Sequence, residues 1–197
     1  IYAPQPLLAV IAAEFGVSRD VCGLLITVTL LPFGFAPVAY GFLLESFSAA
    51  RLMRVCLLLL AATELAVFLN RSFALFLVLR LVQGLLIPAV TTGLMTFISE
   101  ASASSRVQRN LAAYIAASIF GGFFGRLLAG FASSVLGWRW AFLILGLALA
   151  GAAVLAGSLG AAARPRLVRP GLKDLADILK KPVFLRVYVV IFGFFFV

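Results

Sequence analysis

An all-α integral membrane bundle is the fold class this sequence predicts, and three observations carry that expectation. Hydrophobic residues make up 64% of the chain, charged residues only 12%, and the mean hydropathy is +1.17, far from the balanced makeup of soluble domains. The apolar residues fall in runs long enough to cross a bilayer. Such a crossing takes about 20 residues as helix, because lipid offers the backbone no hydrogen-bond partners. The basic residues, 16 Lys and Arg against 7 Asp and Glu, collect in the gaps between the runs. The positive charge therefore reports membrane topology, and no nucleic-acid-binding face is expected.

Taken in chain order, the first run is "IYAPQPLLAVIAA", about two-thirds of a span. It has no charged leading region and carries Pro4 and Pro6, so it reads as a clipped first span and not as a signal peptide. Five complete spans follow at residues 21–43, 52–69, 73–98, 107–133 and 138–160. Residues 161–182 read as a connector, and 183–197 as the start of a seventh span, so the chain is expected to be truncated at both ends. Span 2 carries Pro32, Gly34, Pro37 and Gly41, and span 4 carries Gly84, Pro88 and Gly93. Breakers of this kind are tolerated where neighbouring helices re-satisfy the freed backbone groups, which predicts a packed bundle.

Lys and Arg are distributed unevenly between alternate loops. One side receives eleven, among them Arg51, Arg54, Arg106, Arg109, Lys180 and Lys181, and the other receives Arg19, Arg71 and Arg139. The richer side is the cytoplasmic one, and the amino terminus lies on it. Trp138 and Trp140 are placed at the outer interface, where indoles prefer to sit. Cys22 and Cys56 fall on opposite sides and should not pair.

Away from the span ends, three charges lie inside spans: Glu64, Arg80 and Arg126. A helical rise of about 1.5 Å per residue puts all three in one outer layer. A bare guanidinium there is costly, so each should face a partner or a wet cavity. Arg80 and Arg126 are expected to line a water-accessible pocket suited to anionic or polar substrate groups. Glu64 is expected to snorkel outward, with proton carriage as the alternative, or to pair with one of the arginines. Around Arg126, Gly121, Gly125 and Ala129 repeat as small residues four apart, with Gly122 and Gly130 on the adjoining stripe. Either close helix packing or open space beside Arg126 for a ligand or a facing helix is the expectation for these glycines.

The connector places Leu172, Leu175, Ile178 and Leu179 on one helical face and its lysines elsewhere. It is either an interfacial helix drawn to anionic lipid or a solvated linker. No histidine is present, and no nucleophile–base or metal-ligand set is apparent. No enzyme, metal or cofactor is expected. No phosphate-cradling loop of an ATP-driven pump and no re-entrant filter of a channel can be read.

With these features in place, the short motifs carry a resemblance. "FLVLRLVQGLLIPA" is similar to the arginine, glutamine and glycine pattern on the fourth helix of the major facilitator superfamily, at Arg80, Gln83 and Gly84. "GFLLESFSAARLMR" falls at that superfamily's gating loop between helices 2 and 3, with Gly41, Glu45, Arg51 and Arg54; residues 46–50 lack most of its usual glycine and basic positions. "GGFFGRLLAG" falls where its antiporters have a glycine-rich helix 5 motif, with Arg126 standing in place of a proline. "YAPQPLLAVIAAEFGVS", "GWRWAFLILG" and "ILKKPVFLRVYVVIFG" resemble the bacterial efflux branch often labelled arabinose- or multidrug-efflux-like.

The resemblance implies the N-terminal six-helix bundle of a twelve-helix fold in which two halves rock around a central cavity. It implies a secondary transporter of the bacterial inner membrane, with a small-molecule substrate, protons as coupling ion and a C-terminal half elsewhere in the chain. Tyr2, Gln5, Arg80, Gln83 and Thr91 become candidate cavity-lining residues, each of which can equally serve as an interhelical hydrogen-bonding group. A non-transporting receptor or scaffold subunit with the same fold is the alternative.

Overall fold

The computed structural model describes residues 3–158. Tyr2, the connector at 161–182 and the predicted seventh span at 183–197 lie outside the described residues, as does the side chain of Glu45. Every regular element among the described residues is helical.

A short 3-10 turn, Gln5–Leu7, leads into α1, Leu8–Phe15, which stops at Gly16 in the left-handed conformation (φ 64°). Glycine adopts that backbone without the Cβ clash any other residue would meet. The Ser18 hydroxyl then accepts from the Val21 amide (3.2 Å) and caps α2, Arg19–Phe33. Span 2 is realised as α2 and α3, Ala36–Ser46, bent by 41° at the break. Pro32 and Pro37 flank Gly34 there, and each proline removes one helical donor. The remaining spans are unbroken: α4 (Ala49–Leu69), α5 (Phe73–Ala101), α6 (Val107–Leu136) and α7 (Trp138–Ser158).

Close helix approach occurs at glycines other than those on the predicted stripe. A Cβ on Gly84 of α5 would fall inside the van der Waals shell of the Thr29 carbonyl oxygen on α2 and 2.6 Å from Pro32 Cγ. One on Gly93 would lie 2.6 Å from Met53 Cγ on α4, and one on Gly146 of α7 would lie 3.1 Å from Glu64 Cβ. These glycines set the α2–α5, α4–α5 and α4–α7 crossings. At Gly121, Gly122, Gly125 and Gly130 an added Cβ meets no described atom within 4 Å. Among the described residues the helix 5 stripe is therefore open, because α6 touches chiefly α7 and presents most of its length outward.

The main core gathers Leu7 and Ile11 of α1's end of the bundle, Cys22 and Leu25 of α2, Val67, Phe76, Trp138 and Phe142. Phe76 stacks on Trp138 (centroids 5.8 Å apart, planes 11° apart) while Phe142 meets both rings edge-on. Trp138 is thus only 3% exposed and packs into this core, whereas Trp140 is exposed and rests against Phe68. Cys22 and Cys56 are both free thiols, as expected.

Candidate functional site

The polar centre of the bundle is built on α5. Arg80 is 2% exposed; its Nε donates to the Leu25 carbonyl oxygen on α2 (3.2 Å) and its Nη1 to Oε1 of Gln83 one turn on (2.6 Å). Gln83 Nε2 in turn donates to Thr63 Oγ1 on α4 (3.1 Å), and the Thr63 hydroxyl donates to the Leu60 carbonyl (2.7 Å). A buried guanidinium persists only when its donors are met in this way, and the chain of bonds ties three helices to one cation.

Glu64 follows Thr63 on α4 and has Arg80 and the Gln83 amide as its polar neighbours. It is 9% exposed, and its Oε2 accepts no hydrogen bond from any described residue. Outward snorkelling is therefore corrected: α7 closes over the carboxylate stem at Gly146, and the charge that balances Glu64 is Arg80.

This centre borders a cavity of about 540 Å³ between α4, α5, α6 and α7, with Ala3 at one edge. Glu64, Arg80, Gln83 and Thr91 line it together with Ser118. Gly121, Gly122 and Gly125 form the α6 wall, and leucines 57, 60, 145 and 149 supply much of the rest. The missing side chains on α6 thus leave space open, which is the use the structure makes of the small-residue stripe. The Thr91 hydroxyl donates to the Pro88 carbonyl (3.2 Å) and the Ser118 hydroxyl to the Tyr114 carbonyl (2.9 Å). What both oxygens retain for the cavity is acceptor capacity.

Arg126 does not share this cavity, which corrects the expected common pocket. It lines a separate groove with Pro6, Phe123, Leu127, Gly130 and Phe131. At 100° per residue, Arg126 is rotated roughly 90° from the middle of the stripe formed by 118, 121, 122 and 125. Gln5 is exposed in the 3-10 turn. In the loop expected to gate, Gly41 and Arg51 are exposed, and the Arg54 guanidinium lies across Gly157 of α7, with Cζ 3.1 Å from the position a Cβ would take.

A second polar cluster went unread in the sequence. At the opposite end of the bundle, Glu14 pairs with Arg139 and accepts from Trp138 Nε1. Arg139 also donates from Nη2 to the Asn70 carbonyl (2.7 Å), and its guanidinium sits over the Trp138 ring (4.5 Å). Asn70 holds the α4–α5 turn by exchanging bonds with Ser72 (2.7 and 2.8 Å). A cavity of about 370 Å³ opens there, lined by Glu14, Phe15, Arg71 and Arg139. The available signal was Glu14 at the end of its apolar run, on the same predicted side as Arg139.

Long apolar helices around a satisfied buried cation define a multi-pass membrane protein. The Major Facilitator Superfamily profile matches residues 1–197, and the chain belongs to that family. It is similar to the uncharacterized MFS-type transporter YybF of Bacillus subtilis, 27% identical over 146 residues covering 74% of this chain and 36% of the relative. It is also similar to the inner membrane transport protein YnfM of Escherichia coli, 28% identical over 146 residues, 74% of this chain and 35% of the relative. The MFS-type transporter mpsC of Macrophomina phaseolina shares 28% identity over 141 residues, 71% of this chain and 28% of the relative. The chain spans about a third of the length of the first two.

Proposed function

We propose that this chain forms the N-terminal half of a secondary active transporter that moves a small molecule by alternating access, with no enzymatic step. The observation that carries the reading is the cavity beside Arg80, Gln83 and Glu64: an open, part-polar space inside a membrane bundle. A scaffold subunit has no need of such a space, and an apolar filled interior would have suited it better. Names of the bacterial relatives support the same reading, since both are called transport proteins. The second bundle, which completes the cavity, is supplied by the rest of the protein.

The finer reading is proton-coupled efflux across the bacterial inner membrane, with the amino terminus and the connector on the cytoplasmic side. The eleven-to-three division of Lys and Arg supports the orientation. Glu64 supplies a carboxyl inside the bundle for the coupling step. The test is flux by the full-length protein in proteoliposomes holding a trapped pH dye and an imposed pH gradient. Solutes are expected to dissipate the gradient through wild type and not through Arg80→Ala. Solute movement without proton movement would remove the coupling, and no movement of any solute would favour the scaffold.

A further inference from the structure

We propose that the cavity lined by Glu14, Phe15, Arg71 and Arg139 holds the phosphate of an anionic phospholipid, whose acyl chain lies on the neighbouring apolar faces of α4 and α7. This site is apart from the space beside Arg80, and the inference does not depend on transport. Its first support is where the charges gather. On the arginine-poor side the sequence places Arg19, Arg71 and Arg139, and two of these, far apart in the chain, line one cavity. Glu14 offsets one of them: its Oε1 accepts from Arg139 Nη1 and its Oε2 from Trp138 Nε1. One positive charge is left over. It belongs to Arg71, which is exposed and held by no described residue.

Hydrogen-bonding atoms give the same sign. Arg139 spends one N–H on Glu14 and one on the Asn70 carbonyl, which leaves its Nε–H and the second N–H of each terminal nitrogen, and Arg71 keeps all of its own. Donors therefore outnumber acceptors on the charged walls, and the complementary ligand accepts. A phosphodiester does so with a single negative charge, which matches the surplus and suits a guanidinium fork. Depth decides between a lipid and a free anion. α4 ends at Leu69, α5 begins at Phe73 and α7 at Trp138, so the cavity lies where three spans end, at the level of the headgroups. Leu69 and Trp140 stand close to the two arginines in the chain, and exposed apolar residues continue from them, Leu65 along α4 and Ile144 and Leu147 along α7. Phe68 and Trp140 join the two faces in an edge contact (5.5 Å between centroids). A lipid meets both the cation and these faces, whereas a free anion meets the cation alone. A choline headgroup brings a second cation up to Arg71, so a net-negative headgroup is favoured.

Lipid contact at one position tests this. In the full-length protein with its cysteines replaced by serine, Leu69→Cys carries a bimane label in phosphatidylcholine vesicles, a minor share of which is brominated phosphatidylglycerol or, for comparison, brominated phosphatidylcholine. Bromine quenches the label only at short range, so the ratio of the two quenching strengths reads the local preference for anionic lipid. It is expected to be about fivefold, the effect of one basic side chain beside an anionic lipid. At Val135→Cys, an exposed position at the corresponding end of α6, it should be close to unity. Arg71→Gln should bring the Leu69 ratio close to unity as well, while Arg71→Lys keeps most of the preference, since an ammonium still binds phosphate as a point charge. Arg71 and Leu69 are both exposed, so these variants leave the core intact. The proposal is overturned if the two lipids quench equally at Leu69, if the preference survives Arg71→Gln, or if Val135 shows the same preference, which would mean sorting by the net charge of the whole protein. Loss of the preference on adding soluble glycerophosphoglycerol would assign the site to a free anion and overturn the lipid.

Discussion

Arg80 holds a position no other side chain can fill. Its Nε reaches the Leu25 carbonyl while Nη1 reaches Gln83, two directions that a fork serves and a lysine ammonium on its flexible stem does not. Arg80→Ala leaves Glu64 buried without its compensating charge and is expected to cost about 3–5 kcal/mol. Arg80→Lys should recover only part of that, as read by the melting temperature of detergent-solubilised protein. Gly84, one turn further along α5, makes a second prediction. The atom its added Cβ would strike is the backbone oxygen of Thr29, which cannot rotate away, so Gly84→Ala should destabilise by roughly 1–3 kcal/mol. Gly121→Ala meets open space and should cause no loss; equal losses at both positions would mean that α6 packs as closely as α5 does.

Between elements, two kinds of contact join α1 to α7, and their strengths should differ widely. Trp138 is buried among Phe15, Phe76 and Phe142, so Trp138→Ala is expected to cost about 3–5 kcal/mol. The Glu14–Arg139 pair is part-exposed, and Arg139→Ala should cost only about 1 kcal/mol or less, a difference that narrows further in high salt. Thermal unfolding of both variants at low and high ionic strength checks the pair of values. Element identity was largely legible in advance: five apolar runs became the α2–α3 pair, α4, α5, α6 and α7, since a bilayer-length hydrophobic run has few alternatives to a helix. Rotation about each helix axis was not legible. Depth along the chain put Glu64, Arg80 and Arg126 in one layer, but only α5 turns its charge onto the α4 carboxylate, and Arg126 falls on another face of α6. Small residues spaced four apart state that close approach is allowed without naming the partner. At Gly84 and Gly146 a partner arrives; at Gly121 and Gly125 the same spacing opens a cavity. Glu14 escaped notice because its partner lies 125 residues away, and nothing local marks it.

For the molecule as a whole, exposure carries two meanings that its fold alone does not separate. Val154 and Leu155 of α7 are 71% and 70% exposed, and Gly122 and Ser118 of α6 are exposed as well, yet the former stand on an apolar outer face and the latter border the polar cavity. In a bilayer the first pair meets acyl chains, which cost apolar side chains nothing, while the second meets whatever fills the cavity. If the cavity is wet and opens to one side during the transport cycle, a charged thiol reagent will reach it and will not reach the lipid face. Cys22 and Cys56 are both buried and form a quiet background, and any cysteine elsewhere in the full-length protein is first replaced by serine. In full-length protein, Ser118→Cys and Gly122→Cys are expected to label within minutes and Leu155→Cys to stay unlabelled, with mass shifts as the readout. Labelling at 118 and 122 should also slow when the cavity ligand is bound, because the same space is being filled. Equal silence at all three positions would mean that the space beside Arg80 is closed to water in the membrane, and the charge pair would then be a structural strut and not part of a path.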